Sequence, residues 1–113
     1  LVCGNCMIFH IILTGLGDRE ISIVTDLMID EIGKESSEFV TIYNFTDFQV
    51  TPSSKKTAKR LAQYIDTTGR SKGAAAYGID YFTRIIGKIV RPSIAFFRTK
   101  DQAFAFAESR CVD

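Results

Sequence analysis

The fold of this chain is decided by the stretch Phe39-Val-Thr-Ile-Tyr-Asn-Phe-Thr46 and by residues 51–66 behind it. The first segment is apolar on both alternating faces and is bounded by charged residues, which predicts a central strand covered on both sides. In the second segment, Thr51-Pro52 suits a helix opening, and apolar residues then recur at helical spacing, at Ala58, Leu61, Ala62 and Ile65. A buried strand followed by an amphipathic helix is the repeating unit of an α/β protein.

The same alternation continues toward the C-terminus. We predict a strand of small residues over 73–79, a helix that begins at Asp80 and stops at Pro92, and a strand over 93–98. A terminal helix follows Thr99, and we expect its Phe rings to pack on the sheet. Strands that alternate with helices in this way predict parallel pairing with helical crossovers.

The N-terminal part has a different pattern, which predicts a hairpin. Residues 7–14 are apolar and rich in β-branched side chains, residues 15–18 have the composition of a turn, and residues 20–24 suit a second strand. A short helix is expected over residues 26–36. The predicted fold class is therefore α/β, a single domain with a mixed, mostly parallel sheet, an N-terminal hairpin and crossover helices.

Length and composition agree with one domain. The 113 residues, 46% of them hydrophobic, are enough for one core. We assign residues 7–113 to this domain and interpret residues 1–6 as a non-native or disordered extension, because Met7 opens the first patterned segment. The longest apolar run, residues 7–13, is far shorter than a membrane span, and residues 1–6 carry no basic residue of a secretory signal. We therefore expect no membrane span and a cytoplasmic location.

The cysteines and the single histidine are the residues with the most reactive side chains. Cys3, Cys6 and Cys111 lie at the chain ends and are odd in number, so they predict no disulfide framework. Cys3 and Cys6 have redox-motif spacing, but they precede a strand instead of following one. His10 is interpreted as a packed, hydrogen-bonded side chain, and no catalytic residue, metal site or cofactor is predicted.

Charge divides the chain into two halves. Residues 1–50 carry two cations against eight carboxylates, a net charge of −6, whereas residues 51–113 carry twelve cations against five carboxylates, a net charge of +7. Many cations fall on the outer faces of the two central helices, at Lys56, Lys59 and Arg60 and at Arg84, Lys88 and Arg91. These faces predict a surface that binds an anionic protein partner or a small anionic ligand, although solvation of the helices explains the same charges.

From Phe39 onward the sequence resembles the SpoIIAA-like branch of the STAS superfamily, small α/β domains related to anti-sigma-factor antagonists. The resemblance covers residues 39–108. It rests on the segments Val40-Thr-Ile-Tyr-Asn-Phe-Thr-Asp47-Phe48, Ala74-Ala-Ala-Tyr-Gly-Ile79, Ile94-Ala-Phe-Phe-Arg-Thr99 and Asp101-Gln-Ala-Phe-Ala105. What it implies is a non-enzymatic interaction domain.

The family's antagonists are phosphorylated on a serine at a helix N-terminus that follows an Asp-ended strand. The resemblance places that position near Ser53 or Ser54, after Asp47. The family's Asp-Ser-Ser-Gly loop is absent here, so we expect Thr51, Ser53 and Ser54 to satisfy the first amides of the helix instead.

Two other classes of function stay open. A small-molecule-binding domain or enzyme would have its site at the carboxyl ends of the strands, around Asp47, Thr51 and Asp80. A nucleic-acid-binding protein would use the basic helical faces, but the net charge of +1 and the lack of aromatic residues among the lysines do not favour nucleic acid. The charge division also predicts attraction between copies of the chain, and hence a homodimer.

Overall fold

A computed structural model describes residues 2–3, 6–49, 51–78 and 94–111. Along the chain its elements are β1 (Val2–Cys3), β2 (Cys6–Ile12), α1 (Asp18–Lys34), β3 (Glu38–Asn44), α2 (Pro52–Thr68), β4 (Ser71–Tyr77), β5 (Ala95–Phe97) and α3 (Lys100–Cys111). The strands form one sheet in the order β1-β2-β3-β4-β5. Strands β2 to β5 are parallel, and β1 is antiparallel to β2. The prediction of an α/β fold with a mixed, mostly parallel sheet is confirmed.

Strand β3 is central, as its sequence predicts. It pairs with β2 on one side and β4 on the other. Phe39 and Tyr43 face a core that includes Ile32 of α1 and Ile65 of α2. Val40 and Ile42 point to the other face, into a second core that includes Ala103 and Ala107 of α3. Helices therefore cover both faces of the sheet, which explains why β3 is apolar throughout.

The predicted N-terminal hairpin over residues 7–24 is wrong, because residues 20–24 are helical. The buried side chains of α1 are Ile21, Thr25 and Ile32, which recur at helical spacing. The carboxylate of Glu20 accepts a hydrogen bond from the backbone N–H of Gly17 at 2.8 Å, so Gly17 caps a helix rather than turning a hairpin. The short helix expected at residues 26–36 is the second half of α1. An N-terminal hairpin does exist, but it consists of β1 and β2.

Helix α2 follows its prediction closely. It begins at Pro52 and ends at Thr68, where Gly69 adopts a left-handed conformation with φ 65°. Leu61 and Ile65 are buried as expected, whereas Ala58, predicted on the same face, is exposed. The predicted helix from Asp80 to Arg91 lies outside the described residues.

Candidate functional site

The outer face of α2 carries two of the predicted basic residues. Leu61 and Ile65 face the sheet, so Lys56 and Lys59 lie on the opposite side of the helix and are exposed. Arg60 differs, because its Nη2 lies 2.8 Å from Oδ1 of Asp26 on α1. Its charge is therefore compensated within the domain. Arg84, Lys88 and Arg91, the second half of the predicted surface, fall in the part of the chain that is not described.

The outer face of α1 carries an apolar pair that the sequence prediction missed. Ile23 is 50% exposed and Leu27 is 60% exposed, one helical turn apart and opposite the buried side of the helix. The sequence pattern places Ile23 in a strand and Leu27 in a separate short helix. It therefore does not indicate that the two side chains share one exposed helix face. The signal that could have found it is the helical spacing of Ile21, Thr25 and Ile32.

Charged side chains flank this apolar pair. Lys34 Nζ lies 3.2 Å from Asp30 Oδ2 and 3.4 Å from Glu31 Oε1. Hydrogen bonds and attraction, first from Asp30 and then from Glu31, raise the pKa of Lys34. Lys34 therefore pairs with two carboxylates, and the C-terminal end of α1 keeps a net negative charge.

The two helices lie side by side and carry opposite charge. Helix α1 has five carboxylates against two cations, net −3, and α2 has four cations against one carboxylate, net +3. Besides the Arg60–Asp26 ion pair, Thr51 Oγ1 donates a hydrogen bond to Asp18 Oδ1 at 2.6 Å. The charge division of the sequence is thus concentrated in one helical layer, here called the α1–α2 layer.

Two of the polar residues that follow β3 in the sequence, Thr51 and Ser54, cap helix α2. Ser54 is only 2% exposed; its N–H donates to Thr51 Oγ1 at 3.0 Å, and its Oγ accepts from the Thr51 N–H at 2.8 Å. The expected capping role of these two residues is confirmed. Ser53 is exposed, and its carbonyl oxygen accepts a hydrogen bond from Thr57 at 3.0 Å. Asp47 is exposed in a turn with φ 57°, and Thr51 is bonded to Asp18 rather than to Asp47.

A second polar group lies on the other side of the sheet, under α3. His10 Nε2 is 2.8 Å from Tyr77 Oη, so the interpretation of His10 as a hydrogen-bonded side chain is confirmed. Its ring meets Phe104 of α3 edge to face, with ring centres 5.1 Å apart. Burial, and to a lesser degree the charge of Lys100, lower the pKa of His10, and burial raises the pKa of Tyr77. Sequence reasoning did not connect these residues, because they lie on three elements far apart along the chain.

Two of the cysteines form a single disulfide that the sequence did not predict. A disulfide joins Cys6 at the start of β2 to Cys111 at the end of α3, across 105 residues. Residues so distant in sequence meet because α3 packs on the same face of the sheet to which Cys6 points. Such bonds are rare in cytosolic proteins, and the expected cytoplasmic location stays a prediction.

The described residues offer neither a metal-binding cluster nor a membrane-spanning helix. They contain no group of three or more His, Cys, Asp or Glu side chains that could hold a metal ion. Nor does any helix among them have the length and apolar character needed to cross a membrane.

Comparisons with known proteins identify no family. No protein-family model matches the chain, and no curated protein is significantly similar to it.

Proposed function

We propose that this chain is a non-enzymatic interaction domain that binds an anionic protein partner through the basic face of α2, and that this partner is helix α1 of a second copy. The observation that carries the proposal is the exposed pair Ile23 and Leu27 at the centre of the outer face of α1. Large apolar side chains grouped on the outside of a domain mark contact surfaces. The resemblance to STAS domains favours the same class of function.

Charge explains why a second copy fits. In a symmetric dimer the same surface is used by both partners, so it must be complementary to itself. The α1–α2 layer meets this requirement, because one of its two helices carries net −3 and the other net +3. A two-fold axis that runs parallel to the two helices, midway between the facing layers, places each α1 on the α2 of the partner. Lys56 and Lys59 then lie against the acidic α1 of the partner, to whose negative charge Asp30 and Glu31 contribute.

The apolar pair adds affinity to this electrostatic match. Complete burial of a side chain the size of Leu or Ile contributes roughly 1.5–3 kcal/mol. Ile23 and Leu27 already lose part of that surface within the protomer, so a partner gains only the exposed remainder. Charged rims around an apolar centre are typical of protein interfaces, and they set orientation and association rate more than affinity.

Charge reversal tests the arrangement directly. One variant reverses α2 (Lys56→Glu with Lys59→Glu), and the other reverses the end of α1 (Asp30→Lys with Glu31→Lys). Each variant alone places like charges opposite each other in the dimer and should sediment as a monomer. Mixed in equal amounts, the two variants should form a heterodimer, because acidic and basic helices again face each other in both halves of the interface. Analytical ultracentrifugation measures all three samples.

The controls separate surface effects from unfolding. Glu108→Lys changes one exposed charge on α3, on the other side of the sheet, and should leave the dimer intact. Leu27→Glu should give a monomer whose circular dichroism equals that of the parent. A parent chain that is monomeric at all concentrations, or variants that dimerise alone as well as the parent does, would contradict the proposal. So would binding of a foreign protein by a monomeric chain.

A further inference from the structure

The cluster of His10, Tyr77, Lys100 and Phe104 has no part in the proposed interface. It lies on the opposite face of the sheet, where side chains of β2 and β4 meet α3. His10 is near the carboxyl end of β2, and Tyr77 is the last residue of β4. Open parallel sheets bind ligands at the carboxyl ends of their strands. The sequence analysis named the same region for an alternative small-molecule site.

The polar groups of the cluster are arranged around one aromatic ring. Lys100 Nζ lies 5.7 Å from the centre of the Phe104 ring, and the centre of the half-buried His10 ring lies 5.1 Å from it. Tyr77 is bonded to Nε2 of His10, and within the described ranges Nδ1 makes no hydrogen bond. Lys100 forms no ion pair with another described residue. The Lys100 ammonium and the His10 imidazole thus lie near the same ring, and no described carboxylate forms an ion pair with either.

An apolar surface adjoins these groups. Ile12 follows His10 by two residues and therefore points to the same side of β2, where it is 56% exposed. It lies in one row with Tyr77, since Ile12 pairs with Asn44 of β3 and Asn44 pairs with Tyr77. Half-buried Phe104 packs edge to face on the His10 ring. The site therefore combines a cationic end with an exposed aliphatic side chain.

We propose that this cluster binds an organic carboxylate with an apolar body, the carboxylate between Lys100 and His10 and the body against Ile12 and Phe104. A lysine ammonium is a point donor for a carboxylate, and the histidine ring offers a second hydrogen bond. This inference goes beyond the proposed interaction domain and does not depend on it, because the two surfaces lie on opposite faces of the sheet.

Binding should be coupled to protonation of His10. Among the described residues, the ionisable groups that face it are Lys100 from α3 and Tyr77 from β4, and β3 presents Ile42 beside it. In the unliganded protein, burial and the Lys100 charge both oppose the imidazolium form and lower the pKa of His10. A bound carboxylate supplies the missing negative charge, so it favours the imidazolium form and raises this pKa.

Proton NMR of the full chain tests the proposal, because the chain has a single histidine. The pH titration of its Hε1 signal is recorded alone and with octanoate, acetate or inorganic phosphate. We expect octanoate to raise the pKa of His10 and to bind at least about tenfold more tightly than acetate, because only octanoate has an apolar body. Phosphate should resemble acetate.

Matched lysine variants locate the site. Lys100→Gln should weaken octanoate binding about tenfold, as expected for the loss of a charge-assisted contact. Lys55→Gln removes an exposed cation from α2 and should leave binding unchanged. A His10 titration that octanoate does not move, equal affinities for octanoate and acetate, or equal binding by the Lys100→Gln variant would overturn the proposal. None of these outcomes depends on whether the chain dimerises.

Discussion

Thr41 is a polar residue in β3, the most buried of the described strands. It lies at the middle of β3, is completely buried, and its Oγ1 makes no hydrogen bond with another residue that the structure describes. A buried hydroxyl without a partner costs roughly 1–3 kcal/mol of stability. Thr41→Val keeps the shape and the β-branched backbone preference but removes the hydroxyl, so we expect the free energy of unfolding to rise by about 1 kcal/mol. Urea denaturation measures the change.

Two other substitutions at this position separate polarity from packing. Thr41→Ser keeps the hydroxyl and loses a methyl group, and it should lower stability. Thr41→Ala removes both groups, so the gain from losing the hydroxyl is offset by a cavity. If the Thr41→Val protein is less stable than the parent, the Thr41 hydroxyl has a hydrogen-bond partner in solution, and the prediction is contradicted.

At the scale of elements, the sequence was most informative where one periodicity dominates. Residues 39–46 predicted a central strand and residues 51–66 a helix, and both are present because no competing pattern interrupts them. The start of α1 was misassigned because residues 20–24 alternate polar and apolar side chains over a short window. Their helical conformation depends on Glu20, which accepts a hydrogen bond from the N–H of Gly17, and on the burial of Ile21. Tertiary burial cannot be read from a short sequence window.

The candidate sites were less predictable than the elements. The sequence located Lys56 and Lys59 on an outer face, but it could not show that Arg60 is paired with Asp26 on another helix. His10 and Tyr77 are 67 positions apart and meet only because β2 and β4 both flank β3. Contacts of this kind depend on strand order, which no local pattern encodes.

The end of α2 offers a prediction at this scale. Gly69 has φ 65°, and a Cβ at this position would meet no atom within 4 Å. Gly69→Ala therefore changes backbone strain without a steric clash, and we expect it to lower the free energy of unfolding by about 1 kcal/mol. Gly69→Asn is the matched control, because Asn tolerates the left-handed conformation and should cost less. Equal stability of the Ala variant and the parent would contradict the assigned helix end.

At the scale of the whole molecule, the sheet separates two surfaces of different character. The α1–α2 layer presents charge of both signs around an apolar pair, whereas the α3 side holds the histidine cluster and the disulfide. The central strand contributes buried side chains to both cores. Substitutions on one outer surface should consequently leave the function of the other intact, which allows the two proposals to be tested in the same protein.

The Cys6–Cys111 disulfide ties the last helix to β2 and gives the final prediction. It links residues separated by 105 positions, so it restricts the unfolded chain strongly. Removal of a native disulfide typically costs about 2–5 kcal/mol, and we expect Cys111→Ala to lower the free energy of unfolding by about 2–4 kcal/mol. Reducing agent should destabilise the parent chain by a similar amount and leave the variant unchanged. Because Ala103 and Ala107 still anchor α3 in its core, native far-UV circular dichroism should persist in the variant. Equal urea midpoints for the oxidised parent and the variant would show that the bond contributes nothing to stability.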